Sequence, residues 1–263
     1  MTPTTTAGEA RPGVSRNALL LLAGWIVAGA ALIAAPNELA GRVLTFVFVL
    51  LGWVLAVMAH EFGHAFVAYK AGDHTIRAKG YLTLDPLKYV DLGVSIVIPI
   101  LAVTLGGIGF PGGAVYLRED LMRTRGLRAL ASLAGPLGTL LVFVLLIAAL
   151  WAVALSPLDT PGARMLCDAV AFLAFLQATA FVLNLMPVPG LDGYGVIRPF
   201  LPAAIAQPLR RFEGLAILAL FLAIFLIPQA SLLIFAPALF LTDIAGLPRE
   251  MIQAGWDAFR FWS

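Results

Sequence analysis

The sequence predicts an all-α polytopic membrane protein with about six transmembrane helices, a membrane-dipping loop and a small β-hairpin inserted after the second helix. Of the 263 residues, 61% are hydrophobic and only 12% are charged, whereas soluble domains carry about 25% charged residues. The mean hydropathy is +0.95. The formal net charge of +2 is too small to indicate nucleic-acid binding. The single cysteine, Cys167, excludes both an intrachain disulfide and a cysteine-based zinc site.

Apolar runs of helical length, separated by short links, predict the spans. They are Ala18–Ala35, Leu44–Tyr69, Val94–Phe110, Ala129–Leu155, Leu166–Met186 and Leu215–Ile244. Pro228 breaks the last run and predicts two short spans joined by a tight turn. Val94–Phe110 contains Pro99 and leads into a glycine-rich turn, so we interpret it as a loop that dips into the membrane. A short complete span is the alternative, because 17 residues are at the lower limit of length.

The charge pattern predicts the topology and the domain limits. Residues 1–17 are expected to be a flexible cytoplasmic tail, with a signal peptide as the alternative for the tail and first run. Basic residues cluster within 70–91 and 117–128, which favours the cytoplasmic side for both stretches. Residues 18–246 then form one membrane-embedded domain. Residues 247–263 form either a short interfacial helix or a frayed tail, and both termini are expected in the cytoplasm.

Polar and apolar residues alternate between Thr75 and Asp91. This pattern predicts short strands or an interfacial hairpin. Gly113–Leu117 is predicted to be a further strand. An exposed strand edge near an active site could pair with an extended substrate.

His60-Glu61-Phe62-Gly63-His64 lies inside an apolar run that is uncharged from Leu44 to Ala59. Ionisable groups at membrane depth are costly, and they mark functional sites. Histidines four residues apart project from one face of a helix and can share one Zn²⁺, while the adjacent Glu61 is placed to act as general base on a water activated by the metal. The motif therefore predicts a metal-dependent hydrolase.

A catalytic zinc site usually has three protein ligands and one open position. The remaining histidine, His74, lies in a loop beyond the helix, so a carboxylate is the expected third ligand. Asp192 is the candidate, because Pro187 and Pro189 end the preceding span and present it at the edge of the membrane core. A plain Asp-Gly turn is the alternative for Asp192. Asp243, near the end of the last span, is a weaker acidic candidate.

The two motifs together resemble the site-2 protease family of zinc intramembrane metalloproteases. The second motif runs Asn184-Leu-Met-Pro-Val-Pro-Gly-Leu-Asp192-Gly193, and the similarity covers roughly Leu44–Val196. The resemblance is to compact members, without PDZ or nucleotide-binding (CBS) domains. It implies that His60, His64 and Asp192 bind one zinc ion per chain, that Glu61 is the catalytic base, and that Asn184 orients substrate or stabilises the oxyanion. Thr139 departs from the family, which often has asparagine there.

The resemblance implies an intramembrane zinc metalloprotease that cleaves a peptide bond within or near a transmembrane segment of another membrane protein. The expected partners are this transmembrane-helix substrate and a regulatory or adaptor membrane protein. The expected location is a bacterial or archaeal cell membrane. Two alternatives remain at this point. One is a membrane zinc transporter or sensor, and the other is a catalytically inactive homologue that binds membrane helices without cutting them.

Overall fold

A computed structural model describes residues 13–89, 115–154 and 160–262 of the chain, and α-helices dominate these ranges. In chain order the helices are α1 (Arg16–Ile33), α2 (Glu38–Ala71), α3 (Thr75–Ala78), α4 (Pro86–Tyr89), α5 (Arg125–Ala154), α6 (Pro161–Leu185), α7 (Asp192–Ile197), α8 (Ala203–Arg211), α9 (Glu213–Leu226), α10 (Pro228–Ile244) and α11 (Arg249–Phe259). The same ranges contain 3₁₀ turns at Glu119–Leu121 and Arg198–Phe200. The predicted all-α class is confirmed within these ranges.

Four described helices, α1, α2, α5 and α6, are long and apolar enough to cross a membrane. Helices α9 and α10 are bent by 94° at Pro228, and they make a fifth span if the bent pair is counted as one. The predicted break at Pro228 is therefore confirmed, but the predicted count of six spans is not supported. With 14 and 17 residues, each half is shorter than the roughly 20 residues that a full crossing needs. The interpretation of Val94–Phe110 lies outside the described residues.

Helix α6 lies at the centre of the bundle. Its most apolar window is 67% buried, against 22% in α1 and 39% in both α2 and α5. Helices α1, α2, α5, α10 and α11 all pack against it. The outer faces of α1 and α5 leave large apolar side chains exposed, such as Val27 and Leu145. A soluble protein rarely exposes so much apolar surface, so these faces fit contact with lipid.

Helix α2 carries the histidine motif, and both of its ends are defined by the sequence. Asn37 caps its start by accepting a hydrogen bond from the backbone N–H of Ala40 at 2.9 Å. Gly72 ends it with φ +123°, which favours glycine. With 34 residues the helix is about 50 Å long. This exceeds the hydrocarbon thickness of a bilayer, so α2 can hold its site inside the apolar layer and still extend beyond it.

The β-hairpin predicted for Thr75–Asp91 does not form in the described part of that segment. The backbone N–H of Lys79 bonds to the carbonyl of Thr75, and that of Tyr81 to the carbonyl of Ile76. These local hydrogen bonds use the backbone N–H and carbonyl groups that strands would need for pairing in a sheet. Residues 115–117 of the predicted further strand are irregular as well. The alternation instead reflects a small buried cluster that includes Ile76, Tyr81 and Leu82.

The C-terminal end of α2 and the N-terminal approach to α5 lie side by side. The backbone N–H of Arg123 donates to the carbonyl of Ala71 at 3.1 Å, and its guanidinium donates to the carbonyl of Lys70 at 2.7 Å. Asp73 is fully buried and accepts from the backbone N–H groups of Thr75 at 3.1 Å and Arg118 at 2.8 Å. These bonds place both basic stretches of the chain at one end of the bundle.

The two terminal segments also pack on the bundle. Residues 1–12 lie outside the described ranges, and the backbone N–H of Ser15 donates to the carbonyl of Thr83 at 2.8 Å. Residues 249–259 form α11, whose Phe259 is fully buried and contacts the ring of Phe172 at 5.4 Å between centroids. Arg249, Glu250 and Asp257 lie on its exposed side. The interfacial location of α11 stays a prediction.

We expect Asp73→Ala to lower the free energy of unfolding by about 1–3 kcal/mol, because it leaves two backbone donors without their acceptor in a buried setting. Asp120→Ala is the matched control: Asp120 also bonds to Arg118, but through an exposed guanidinium, and exposed pairs of this kind contribute little to stability. Thermal unfolding in detergent measures both. Equal losses in the two variants would contradict this role for Asp73.

Candidate metal centre

His60, His64 and Asp192 are brought together from α2 and the start of α7, and they form a cluster suited to a metal ion. The Nε2 atoms of the two histidines lie 3.1 Å apart. Asp192 reaches each of them at 3.2 Å, Oδ2 to His60 and Oδ1 to His64. Both histidines are buried, each with 6% of its surface exposed. The two Nε2 atoms and a carboxylate oxygen of Asp192 thus lie within 4.8 Å of one another at the edge of the protein interior.

This set of three side chains fits zinc. Two imidazole nitrogens and one carboxylate oxygen are ligands that Zn²⁺ prefers, and tetrahedral bonds of about 2.0–2.1 Å separate ligand atoms by roughly 3.3 Å. The observed separations of 3.1 and 3.2 Å are close to that value. Burial acts to raise the pKa of the Asp192 carboxyl, but His64 and His60 lower the pKa below its usual range. The carboxylate is therefore kept in the anionic form that binds a metal.

Helix α5 sets the orientation of both imidazoles. His64 Nδ1 donates to the backbone carbonyl of Ala131 at 2.7 Å. His60 Nδ1 lies 2.9 Å from the hydroxyl of Thr139. A proton on each Nδ1 leaves each Nε2 lone pair free for the metal, and such outer contacts are a general feature of histidine ligands. Thr139 therefore takes part in the site, although the sequence left its role open.

Glycine allows α5 to lie this close to the histidines. A Cβ atom added at Gly135 would overlap the Nε2 atoms of both His60 and His64, and one at Gly63 would overlap the backbone carbonyl of Ala134. The backbone of α5 can therefore contact the imidazoles of α2 only because Gly135 and Gly63 have no side chain. The same contact that positions the imidazoles also closes one side of the site.

Asp192 reaches the histidines because α6 ends early. Met186 leaves α6 in an extended conformation, and Pro187 and Pro189 prevent the helix from continuing. Gly190 adopts φ +96°, which turns the chain back toward the bundle. Helix α7 then begins at Asp192 and packs against α5. The broken segment thus serves to present one carboxylate.

Arg198 anchors the segment that carries Asp192. It is six residues further along the chain, and its guanidinium bonds to the carboxylate of Glu119 and lies 3.5 Å from that of Glu213. Only 17% of its side chain is exposed. Arg198 therefore ties the end of α7 both to the stretch before α5 and to the start of α9.

Glu61 and Asn184 lie beside the cluster and are almost fully buried, with 3% of each residue exposed. The carboxylate of Glu61 accepts a hydrogen bond from the backbone N–H of Val115. Glu61 and Asn184 line one narrow cavity, which they share with His60, Thr139 and other residues. The other lining residues are Trp53, Ala56, Val57, Gln177 and Ala180. A carboxylate and a carboxamide thus share one cavity with a candidate metal ligand.

The other candidate residues lie apart from this centre. His74 is exposed and stands edge-on to Tyr69, with 5.2 Å between the ring centroids. Asp243 is exposed and paired with Arg249 at 2.6 Å. Cys167 is partly buried on α6. None of the three belongs to the metal-ligand cluster found among the described residues.

Sequence reasoning did not assign roles to Gly135, Gln177 and Arg198. Gly135 lies in the stretch Leu133-Ala134-Gly135-Pro136-Leu137 and carries no side chain that would mark it as functional. Gln177 is a polar residue inside an apolar run, a pattern that marks functional positions in membrane proteins. Arg198 gave no signal, because its partners are remote in the chain and contacts of that kind leave no local pattern.

Comparison with known proteins identifies bacterial relatives. The chain is 43% identical over 218 residues to "Putative zinc metalloprotease Rip2" of Mycobacterium tuberculosis, a match that covers 83% of this chain and 82% of the relative. It is 40% identical over 224 residues to the protein of the same name in Mycolicibacterium smegmatis, with the same coverage. It is 28% identical over 183 residues to "Putative zinc metalloprotease YwhC" of Bacillus subtilis, covering 68% of this chain and 80% of the relative. No family model and no solved structure matches the chain.

We expect Gly135→Ala to abolish zinc binding, because the added methyl group occupies the space of both Nε2 atoms. Gly126→Ala is a matched control on the same helix, where the nearest atom to an added Cβ lies 4.0 Å away. Elemental analysis of the purified proteins gives zinc per chain. One zinc per chain in both variants would contradict the proposed approach of α5 to the histidines.

Thr139→Val should weaken zinc binding by about 10–100-fold, the usual effect of removing an outer contact from a metal-binding histidine. Valine keeps the shape of threonine but cannot accept a hydrogen bond from the Nδ1–H of His60. Thr139→Ser retains the hydroxyl and should bind zinc almost as the unaltered protein does. Competition with a zinc chelator measures the affinity, and equal affinities for the valine and serine variants would contradict the role of the hydroxyl.

Proposed function

Because the chain belongs to the site-2 protease family of zinc metalloproteases, we propose that it hydrolyses a peptide bond within or near a transmembrane segment of another membrane protein. The observation that carries this proposal is the position of Glu61. It is almost fully buried, it adjoins two histidines that can hold zinc, and it lies on a helix apolar enough to span the membrane. An ionisable side chain on a membrane-spanning helix is costly, so its presence there indicates that the general base acts within the membrane.

The residues at the site divide the chemistry between them. His60, His64 and Asp192 would hold the ion. When bound, zinc supplies a Lewis acid that polarises the scissile carbonyl and lowers the pKa of water. Glu61 accepts the proton of the attacking water and returns it to the nitrogen of the leaving amine. The peptide bond breaks. The oxygen of the water becomes part of the new carboxylate, and the proton carried by Glu61 becomes part of the new amine.

Asn184 is suited to the transition state. Its side chain carries two N–H donors, and it shares the cavity with Glu61 and His60. Donors placed where negative charge develops stabilise an oxyanion or fix the substrate carbonyl. Burial makes such hydrogen bonds stronger than they would be in water. We assign Asn184 this supporting role, and we assign no proton transfer to it.

The proposed substrate is a transmembrane helix. A peptide bond in a helix is shielded, and cleavage requires the substrate to unwind at the site and to find new partners for its backbone groups. The bundle offers these partners near Glu61 and presents apolar outer faces to lipid. Selection among substrates would come from this domain or from a regulatory or adaptor membrane protein.

We place the protein in a bacterial cell membrane with both termini in the cytoplasm. The relatives come from bacteria. Basic residues near the end of α2 and before α5 lie at one end of the bundle, and positive charge favours the cytoplasmic side. The metal ligands lie near this same end, so the site would be reached by water from the cytoplasm.

The decisive variant is Glu61→Gln. It should reduce cleavage of a synthetic transmembrane peptide by about 10²–10⁴-fold, the usual contribution of a general base, while the protein keeps one zinc per chain. Glu38→Gln, an exposed position in the first turn of the same helix, is the matched control and should cleave normally. Mass spectrometry of the products measures the rate. Zinc binding without cleavage by the unaltered protein would favour an inactive helix-binding homologue.

A further inference from the structure

Gln177 is a buried carboxamide that has no role in the site described so far. It lies within α6 and is 1% exposed. Its Nε2 atom has no hydrogen-bond partner among the described residues. It lines the cavity that also contains Glu61, His60 and Asn184. Buried polar groups are almost always hydrogen-bonded, so an unpartnered one that faces a functional cavity indicates a missing ligand.

Trp53 presents a second unpartnered donor to the same cavity. It is 5% exposed, and its indole Nε1 also has no partner in the described parts of the chain. An indole N–H can only donate. Gln177 Nε2 is likewise a donor. The two groups together therefore require an acceptor, and the cavity provides no protein oxygen that bonds to either of them.

These donors lie on the side of the site away from the ends of α2 and α6 that carry the reacting groups. Gln177 precedes Asn184 by seven residues, and Trp53 precedes His60 by seven, which is about two helical turns or 10 Å in each case. The two helices run in the same direction, because Gly41 lies against Met165 near their starts and Gly52 lies against Leu173 further along both. Gln177 and Trp53 thus lie at the same height in the bundle, about 10 Å along the helix axes from His60 and Asn184.

In this closed form the cavity admits a single small acceptor atom, so a substrate chain that brings the acceptor must separate the lining helices as it enters. The cavity has room for about 10 Å³, close to the space that one water-sized oxygen needs. No lysine or arginine lines it, whereas Glu61 does, so a neutral acceptor is favoured over an anion. Water and a peptide carbonyl oxygen both meet these conditions.

We propose that Gln177 and Trp53 form a subsite that binds a backbone carbonyl of the unwound substrate, about three residues from the scissile bond. The distance follows from the offset of about 10 Å along the helix axes and from the rise of about 3.3 Å per residue of an extended chain. An unwound segment inside a membrane must find new donors for its carbonyls, and this pair supplies them. The inference rests on the proposed function, since it assigns the ligand as substrate.

The test measures binding separately from cleavage. In the zinc-loaded full-length Glu61→Gln protein, which does not turn over, the dissociation constant of a synthetic transmembrane peptide is compared with and without Gln177→Leu. We expect the added substitution to weaken binding about tenfold, the effect of one lost neutral hydrogen bond. Trp53→Phe should weaken it in the same direction, and zinc content should not change. Thr179→Val, a buried polar position of α6 outside the cavity, should leave binding unchanged.

Peptides with single amide-to-ester replacements identify the source of the acceptor, because an ester carbonyl accepts hydrogen bonds weakly. Replacement at one position two to four residues from the scissile bond should weaken binding to the Gln177 protein, and it should have no further effect in the Gln177→Leu variant. If each ester replacement changes the dissociation constant by the same factor in the Gln177 protein and in the Gln177→Leu variant, the pair holds only water. That result would overturn the proposal. An unchanged dissociation constant in Gln177→Leu would also overturn it.

The two proposals fail in distinguishable ways. If the unaltered protein cleaves the peptide but binding does not depend on Gln177, the subsite is wrong and the protease function stands. If binding depends on Gln177 but the unaltered protein cleaves nothing, the pair binds a helix carbonyl in a protein that does not cut it, and the protease function fails. If the peptide neither binds nor is cut, both are overturned.

Discussion

The close contact between α2 and α5 is the constraint on which the rest of the structure depends. Two imidazoles buried in an apolar helix each need a partner for Nδ1, and lipid offers none. Helix α5 provides both partners, the Ala131 carbonyl and the Thr139 hydroxyl. It can do so only because Gly135 lets its backbone approach the rings. Satisfying these hydrogen bonds also fixes both Nε2 atoms toward one point, so a requirement of folding becomes the geometry of a metal centre.

The third ligand depends on a different device, a helix that stops inside the protein. Pro187 and Pro189 end α6 and expose backbone groups that a membrane would not tolerate in contact with lipid. Packing of α7 against α5 shelters them, and Arg198 links the segment to Glu119 and Glu213. The energetic cost of the break is thus offset by contacts away from the metal, while the break itself presents Asp192. The buried donors of Trp53 and Gln177, which have no partner among the described residues, fit the same logic, because a site proposed to bind an unwound chain must hold unsatisfied groups before the substrate arrives.

The sequence predicted those features that depend on local pattern. Apolar runs gave the long helices and the break at Pro228, and the spacing of His60, His64 and the prolines before Asp192 pointed to residues that the structure brings together. The features that it did not predict depend on contacts between distant segments. The alternation after Thr75 suggested strands, but the backbone there bonds locally around the buried cluster of Ile76 and Tyr81. The partners of Arg198 could not be predicted from the sequence, because they are remote in the chain. The role of Thr139 could not be predicted either, because no local pattern states which face of α5 packs against α2.

The central claim is that one zinc ion is held jointly by His60, His64 and Asp192. Anomalous scattering from crystals of the full-length protein, recorded on both sides of the zinc absorption edge, tests it most directly. The account predicts one zinc peak per chain, about 2.0–2.2 Å from both Nε2 atoms and from one Asp192 oxygen. A peak elsewhere in the chain, or a zinc ion that the two histidines bind while Asp192 points away from it, would contradict the account.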